Sequence, residues 1–229
     1  MEYNSIEILN KLNNFCFPSN FRDETKYDMF DQCFNYQAYS ISSGATKCVV
    51  IPKEKNYVIK IPFTGTGDYY KSYYDSNGYY HSTLDFYEDF YGADNDERVW
   101  DYCGAEVKRY RIAKEHHMEK FFAETAFVGY TTSDYPIYVQ EKCTTLENTV
   151  LQYTHEEMDS MRHTLSSVDC IGELPIRWII SFFKTYGFDT LINFVNFLNA
   201  QDWNDDLRAA NVGFLNKKPI LIDFSGFNE

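Results

Sequence analysis

Three polar side chains near the end of the chain are of types that phosphoryl transfer requires. Asp206 and Asn211 are five residues apart, and Asp223 follows twelve residues after Asn211. Phosphoryl transfer needs a cation on the phosphates, oxygen ligands for Mg²⁺ and a carboxylate near the attacking hydroxyl. The end of the sequence therefore supplies three such groups within a short stretch of chain.

The residues between Asn211 and Asp223 predict how these two side chains are positioned. Apolar residues flank the polar stretch Asn216-Lys217-Lys218, which is typical of a short hairpin. Such a hairpin would bring Asn211 and Asp223 to the same end. A simpler interpretation is that Asp206 and Asn211 cap a turn and that Asp223 ends a strand. A single aspartate would favour that interpretation, whereas three such groups in an apolar hairpin context favour a phosphoryl-transfer site.

The elements that must hold these residues change in type along the chain. Runs rich in Val, Ile and Tyr predict strands, and apolar residues three or four apart predict helices. Strands are predicted at 39–51, where a Gly-containing turn divides the run, and at 56–63, 126–130, 137–141 and 219–224. Helices are predicted at the N-terminus and at about 104–122, 156–165, 175–186 and 189–199. Pro175 suits a helix start and Asp189 an N-cap. This order predicts an α+β fold in two lobes, 1–143 and 144–229.

The same residues resemble motifs of a known family. Tyr57-Val58-Ile59-Lys60 is similar to the Val-Ala-Ile-Lys strand of protein kinases. Asp206 to Asn211, followed by Ile220-Leu221-Ile222-Asp223, resembles their catalytic loop and metal-binding turn. The chain thus resembles the protein kinase superfamily, especially bacterial and phage-encoded kinase-like proteins and small-molecule kinases. The resemblance covers about residues 39–229, interrupted at 64–101. It implies a two-lobed protein-kinase-like fold with a truncated helical C-lobe, since Glu229 follows soon after the metal-binding turn.

The resemblance also implies a role for each matching residue. Asp206 is expected to orient the hydroxyl nucleophile or accept its proton, so that Asp206, Lys60 and Asn211 form the catalytic set. Asn211 and Asp223 are expected to bind Mg²⁺, and Asp223 to bridge it to the phosphates. Lys60 is expected to contact the phosphates, and Glu106, early in the long helix, to pair with Lys60. The implied cofactors are ATP and Mg²⁺.

The remaining nucleotide-binding positions follow from the same resemblance. Gly44 is the middle glycine of a phosphate-covering turn, in which Ser42 and Lys47 stand where the family has its other two glycines. Val49 is expected to pack on the adenine. Backbone groups near Glu141 to Cys143, at the strand-to-hinge position, are expected to read the adenine edge.

Composition argues against several other classes of function. The net charge of -13 makes nucleic acid an unsuitable partner. The six cysteines are scattered without a C-x-x-C pair, which gives zinc ligation little support. The most apolar stretch, 176–200, is broken by Lys184, Gly187 and Asp189, so no membrane span is predicted. The expected location is the cytoplasm, or the host cytoplasm for a phage-encoded protein.

The segment 64–101 is crowded with Tyr, Asp, Gly and Ser and has no visible repeat. One interpretation is a long surface insertion whose rings pack on the body of the protein. The other is a surface for a protein partner or substrate, because tyrosine is enriched at interfaces.

Several functions remain open at this point. The leading hypothesis is an ATP- and magnesium-dependent phosphotransferase acting on a hydroxyl acceptor, either a protein or a small molecule; transfer of a nucleotidyl group is also open. The alternative is a pseudokinase or decoy that binds nucleotide or a partner protein without turnover. The five matching polar residues oppose that alternative, because a fold without turnover has no chemical need for all of them. A third hypothesis is a structural or partner-binding α+β domain with accidental matches.

Overall fold

The computed structural model describes residues 1–13, 38–43, 47–62, 73–74, 80–81, 102–132, 136–166, 174–203 and 207–224. Within these ranges the chain combines α-helices with antiparallel β-strands, so the predicted α+β class is confirmed. The helices are α1 Ser5–Leu12, α2 Tyr102–Glu115, α3 His155–Leu165, α4 Ile176–Tyr186 and α5 Phe188–Ala200, with short 3₁₀ helices at Glu119–Phe121 and Leu146–Asn148. The strands are β1 Tyr39–Ser43, β2 Lys47–Pro52, β3 Tyr57–Pro62, β4 Tyr73–Tyr74, β5 Tyr80–His81, β6 Thr125–Tyr130, β7 Pro136–Glu141, β8 Thr144–Thr145, β9 Val212–Leu215 and β10 Lys218–Leu221.

The chain divides into two compact units. The first comprises Met1–Ala105 with Ala126–Gln140, and the second comprises Glu106–Thr125 with Glu141–Glu229. The lobe boundary predicted after residue 143 stays a prediction. None of the helices in the described ranges has the length and apolar composition needed to cross a bilayer.

A five-stranded sheet with the order β1-β2-β3-β7-β6 forms the centre of the first unit. Helix α1 is capped by Asn4, whose side chain accepts the N–H of Glu7, and it buries Ile8 and Leu12 against one face of this sheet. The side chains that meet α1 alternate along the strands, as a period of two requires. They are Cys48, Val50, Tyr57, Ile59, Ile61, Ile137 and Val139.

Aromatic side chains dominate the core of the second unit. Phe182 of α4 and Phe194 of α5 are stacked, with ring centroids 5.2 Å apart and an interplanar angle of 17°. Phe121 packs on both, at 4.9 and 5.0 Å. Full burial of each such ring stabilises the fold by about 1.5–3 kcal/mol. The core therefore joins α4 and α5 to the short segment after α2.

Helix α2 is shorter than the sequence predicts, since it ends at Glu115 and not near residue 122. His117 adopts a left-handed conformation with φ of 58°. The N–H of Met118 then donates to the carbonyl of Ala113 at 2.7 Å, and the N–H of His117 donates to that of Lys114 at 3.2 Å. These two bonds form a Schellman motif. A glycine usually marks a Schellman motif in a sequence, so the histidine at this position gives no signal that the helix ends.

Helix α5 begins one residue earlier than predicted. Its N-cap is Gly187, with φ of 85°, so the prediction that Asp189 is the N-cap is wrong. Asp189 instead lies in the first turn, where its negative charge is favourable next to the helix N-terminus. Pro175 is the N-cap of α4, and its carbonyl accepts the N–H groups of Trp178 and Ile179.

Candidate functional site

Asn211 and Asp223 lie at the same end of the hairpin formed by β9 and β10. The carbonyl oxygen of Asn211 accepts the N–H of Ile222 at 2.8 Å and that of Asp223 at 3.1 Å. This pairing continues the strand register, in which Val212 faces Leu221. The predicted hairpin geometry is therefore confirmed, although β10 ends at Leu221 and not at residue 224.

The tightness of this hairpin follows from its turn. Leu215 faces Lys218, so only Asn216 and Lys217 lie between the strands. Their φ values are 50° and 68°. Positive φ at both central residues is the signature of a type I′ turn, whose twist matches that of the flanking strands. Lys218, predicted to belong to the turn, is the first residue of β10.

Gly213 fixes the hairpin against β8 and α4. A Cβ at this position would overlap the carbonyl oxygen of Thr144 and lie 2.9 Å from the Cα of Thr145. The carbonyl of Gly213 accepts the indole N–H of Trp178 at 3.1 Å. Only a residue without a side chain fits between these groups, so the strand that leads back to Asn211 has a defined position.

The backbone beside Asp223 is held on both sides. The N–H of Ala123 donates to the carbonyl of Leu221 at 2.8 Å. Phe224 is buried against Phe122, with ring centroids 5.2 Å apart. The guanidinium of Arg109 donates to the carbonyl of Phe224 at 3.0 Å. The carbonyl groups of Leu221 and Phe224, which lie on either side of Asp223 in the chain, therefore both accept a hydrogen bond.

Arg109 is a residue that the sequence analysis did not select. It is buried on α2 one turn after Glu106, which is also buried. The buried positions of this helix recur at steps of three and four residues, namely Cys103, Glu106, Arg109 and Ala113. Two charged residues thus occupy a stripe that is normally apolar. Their spacing of three residues is the available sequence signal, because i and i+3 lie on one helix face.

Lys60 and Val49 face each other across the antiparallel pair of β3 and β2 in the first unit. Both lie on the face opposite α1, since their neighbours Cys48, Val50, Ile59 and Ile61 enter the α1 core. Lys60 is only 3% exposed. The structure thus brings together the predicted phosphate-binding lysine and the predicted adenine-contacting valine.

Glu141 takes part in a local network of the second unit. Its N–H donates to the carbonyl of Glu124 at 3.0 Å, and its carboxylate accepts the N–H of Glu124 at 3.0 Å. Its own carbonyl accepts the thiol of Cys143 at 3.4 Å. A carbonyl has a second lone pair, so this group can still accept a further donor.

Tyr110 lies in the negative field of this network. Burial, followed by the charges of Glu124, Glu141 and Glu119, raises the pKa of Tyr110 to about 12. The phenol therefore remains a neutral hydrogen-bonding group throughout the physiological range.

Two predicted site residues, Asp206 and Gly44, lie outside the described residues. The segment that follows Asp206 is described from Leu207, which is buried. It turns so that the N–H of Asn211 donates to the carbonyl of Arg208 at 2.9 Å. The backbone N–H and the backbone carbonyl of Asn211 therefore both form hydrogen bonds, which fix the main chain at this residue.

The donor set at the hairpin end suits one class of metal ion. Among the residues that the structure describes, no group of three or more His, Cys, Asp or Glu side chains is arranged so that it could hold a metal ion. Mg²⁺ does not need such a cluster, because it keeps several waters and binds through one or two carboxylates plus substrate phosphates. One amide and one carboxylate, from Asn211 and Asp223, fit that requirement.

A separate groove of about 630 Å³ lies near the turn of the hairpin. Lys217, Phe214 and Val150 are among its lining residues, and none of the predicted site residues that the structure describes lines it. It is therefore distinct from the hairpin end that carries Asn211 and Asp223.

No protein-family model, curated protein or solved structure matches the chain.

Proposed function

We propose that this chain binds ATP with Mg²⁺ and transfers the terminal phosphoryl group to a hydroxyl acceptor, within a two-lobed protein-kinase-like fold. The observation that carries the proposal is the hairpin that places Asn211 and Asp223 side by side through the Asn211 carbonyl. Phosphoryl transfer depends on positioning of the reactants and on neutralisation of the phosphate charge. A fixed pair of oxygen ligands would hold the Mg²⁺ ion that neutralises this charge.

The order of the elements also supports this proposal. Lys60 lies on β3 of the five-stranded sheet, and Glu106 lies on α2, the next helix along the part of the chain that the structure describes. Protein kinases likewise carry the phosphate-contacting lysine on their third strand and its glutamate partner on the following helix. The second unit, which ends in the Asn211–Asp223 hairpin, is mainly helical.

Each residue has one task in the proposed reaction. Asp206 orients the acceptor hydroxyl and accepts its proton, while the bond from the acceptor oxygen to phosphorus forms and the bond to the leaving ADP breaks. Asn211 and Asp223 would hold Mg²⁺, which would supply positive charge to neutralise the phosphate oxygens. Lys60 contacts the phosphates, and Glu106 orients Lys60. Val49 and the backbone near Glu141 to Cys143 contact the adenine.

Unfolding of purified protein with and without ATP and MgCl₂ tests the binding step. A ligand at a hundredfold excess over its Kd stabilises the folded state by about 2.7 kcal/mol. Wild type should show this gain, and Asp223→Ala and Lys60→Met should lose it. Asp189→Ala is the matched control, because it removes the same charge from an exposed position. Retention of the gain in folded Asp223→Ala would overturn the metal assignment, and no gain in wild type with Mg²⁺ or Mn²⁺ would overturn the proposal.

Release of ADP by the same proteins tests turnover. Asp206→Ala should still be stabilised by MgATP but should produce no ADP above background. A wild type that is stabilised but releases no ADP with protein or small-molecule acceptors would instead be a nucleotide-binding pseudokinase.

A further inference from the structure

A stretch of extended chain, residues 149–154, borders the groove near the turn of the β9–β10 hairpin. It joins the 3₁₀ helix at Leu146–Asn148 to α3, and its first and last residues both have extended φ and ψ values. Its side chains alternate between partly buried and exposed, with Val150 and Gln152 on the exposed side. This is the period of a β-strand, yet the stretch belongs to none of the sheets in the described ranges. Four of its residues line the groove, namely Thr149, Val150, Leu151 and Tyr153.

The backbone of this extended stretch is open to a partner. Among the residues that the structure describes, none forms a backbone hydrogen bond with the N–H or carbonyl groups of 150–153. Val150 is 87% exposed. Extended chain whose N–H and carbonyl groups are unpaired is a template for a further strand. A peptide that adds as such a strand is held by main-chain hydrogen bonds.

The charge of the groove differs in sign from that of the whole chain. The net charge is -13, yet the described residues that line the groove include two lysines, Lys184 and Lys217, and no Asp or Glu. Lys184 already donates to the carboxylate of Glu157 at 2.8 Å. Within the described part of the chain, no carboxylate pairs with Lys217. Lys217 can therefore pair with an anionic group of a partner.

The backbone conformation of Lys217 disfavours a lysine. This residue is the second central residue of the type I′ turn, with φ of 68°. Glycine is the usual residue there, because it adopts positive φ without a steric cost. The turn therefore does not account for a lysine at this position. Side chains held in such a conformation are concentrated at binding and catalytic sites, so the groove is the natural place to look for the role of Lys217.

The wall of the groove formed by α4 carries hydroxyl groups whose protons are already used. Ser181 Oγ donates to the carbonyl of Arg177 at 3.0 Å, and Thr185 Oγ1 donates to the carbonyl of Ser181 at 2.7 Å. The phenol of Tyr153 is then the donor in its 2.9 Å bond with Ser181. These oxygens can accept a hydrogen bond from a ligand but cannot donate one. The wall therefore suits the N–H groups of a peptide, whereas a carboxylate would bind at Lys217.

We propose that this groove binds an acidic peptide segment of a partner protein in an extended conformation. The peptide pairs through its main chain with 150–153 and places a carboxylate against Lys217. Because alternate side chains of a strand lie on one face, the partner has Asp or Glu at alternate positions. The apolar side chains between them contact Leu151 and Phe214, which line the groove. This interaction does not depend on the proposed phosphoryl transfer, since none of the described nucleotide-site residues lines the groove.

Fluorescence anisotropy of the full chain with a labelled peptide of about six residues, in which Glu and Val alternate, tests the groove. Nucleotide and Mg²⁺ are left out, so the proposed nucleotide site does not contribute. Lys217→Gly should weaken binding about fivefold, as expected for loss of an exposed ion pair. Glycine suits the turn, so this variant should unfold in urea no earlier than wild type. Lys218→Gln is the matched control, because it removes the same charge from the next residue, which is exposed and does not line the groove. It should change the affinity less than twofold.

Modified peptides separate the charge from the main-chain pairing. A peptide with Gln in place of Glu should bind about fivefold more weakly to wild type, and Lys217→Gly should not weaken it further. N–H groups of alternate residues lie on one edge of a strand, so N-methylation of either all Val or all Glu residues blocks one edge. One of these two methylated peptides should bind at least tenfold more weakly than the unmodified peptide.

The outcomes separate this inference from the proposed function. No binding of the acidic peptide by wild type, or unchanged binding by folded Lys217→Gly, would overturn the acidic-peptide site. Full affinity for both methylated peptides would overturn the strand pairing. Dimerisation of wild type that Lys217→Gly abolishes would show a second copy of the chain as the occupant and overturn the partner peptide. Peptide binding that depends on Lys217, in a protein that MgATP does not stabilise, would retain the groove and overturn the nucleotide proposal.

Discussion

The carbonyl oxygen of Asn211 accepts the backbone N–H of Asp223 at 3.1 Å. This single bond joins the two candidate metal ligands through the backbone, independently of their side-chain rotamers. The neighbouring N–H of Ile222 donates to the same oxygen at 2.8 Å, so the carbonyl has two donors. A metal ion bound here would therefore meet ligands whose main chains are already positioned, which lowers the entropic cost of binding.

Arg109 should position the segment that carries Asp223. In Arg109→Gln, the short amide cannot replace the guanidinium bond to the Phe224 carbonyl, and a hydrogen bond from a charged donor contributes about 1.5–3 kcal/mol. We expect faster amide hydrogen exchange in peptides covering residues 218–224, with exchange in the first unit unchanged.

Lys114→Gln is the matched control for Arg109→Gln, since it removes the same charge from an exposed position on the same helix. It should leave exchange at 218–224 unaltered. Equal protection of this segment in Arg109→Gln and wild type would show that Phe122 and Ala123 suffice to hold it.

Gly213→Ala should destabilise the second unit by packing. The added methyl group would overlap the Thr144 carbonyl, and overpacking of this kind costs about 1–3 kcal/mol or more. Urea unfolding measures the loss, and the contact with Trp178 predicts an accompanying change in tryptophan fluorescence.

Gly187→Ala provides the comparison, because its cost has a different physical origin. A Cβ at Gly187 has no neighbour within 4 Å, but φ is 85°. With ψ of 169°, this backbone lies in a region that essentially only glycine adopts, and a residue with a side chain there costs about 1–3 kcal/mol. Gly213→Asn should therefore be at least as harmful as Gly213→Ala, whereas Gly187→Asn and Gly187→Ala should cost about the same, because the backbone conformation and not the size of the side chain sets the loss. A Gly213→Ala protein as stable as wild type would contradict the close approach of β8 and β9.

Tyr110 should make the stability of the fold depend on alkaline pH. Its pKa is raised from the ordinary 10.0 to about 12 by burial and by the nearby carboxylates. The folded state therefore keeps its phenol proton when the unfolded state has lost it. The resulting contribution to stability is fully present below pH 10 and is lost as the pH rises towards 12.

Tyr110→Phe removes this dependence while it keeps the ring. Urea unfolding of both proteins at pH 9, 10 and 11 should show the variant gaining stability relative to wild type as the pH rises. A difference between the two proteins that stays constant over this range would mean that Tyr110 titrates alike in the folded and unfolded states.

Local patterns in the sequence were sufficient to predict several of the strands and the hairpin. Strands β3, β6 and β7 are rich in β-branched and aromatic residues, and the predicted bounds of each lie within two residues of the observed ones. The hairpin was predictable because its polar turn lies between apolar runs. In each case the signal lies within about ten residues of the feature, so no tertiary information is required.

Burial of charge could not be predicted in the same way. Lys47 and Arg109 look like ordinary solvated side chains in the sequence, and the spacing of Arg109 from Glu106 places the two on one helix face without showing that this face is buried. Their burial depends on the strand register and on the contacts of α2, which are tertiary properties. The helix end at His117 was missed for a related reason, since its left-handed residue is not the glycine that usually marks such an end.

The two-residue turn of the β9–β10 hairpin affects how distant relatives of this protein could be recognised. The twelve-residue separation of Asn211 and Asp223 counts Asn216 and Lys217, which take no part in the site. An insertion in the turn would change that count and leave the Asn211–Asp223 bond intact. A single residue inserted within β10 would barely change the count, yet it would turn the following side chains to the opposite face. A search for related sites should therefore score the pairing of the two strands and tolerate any length of the loop between them.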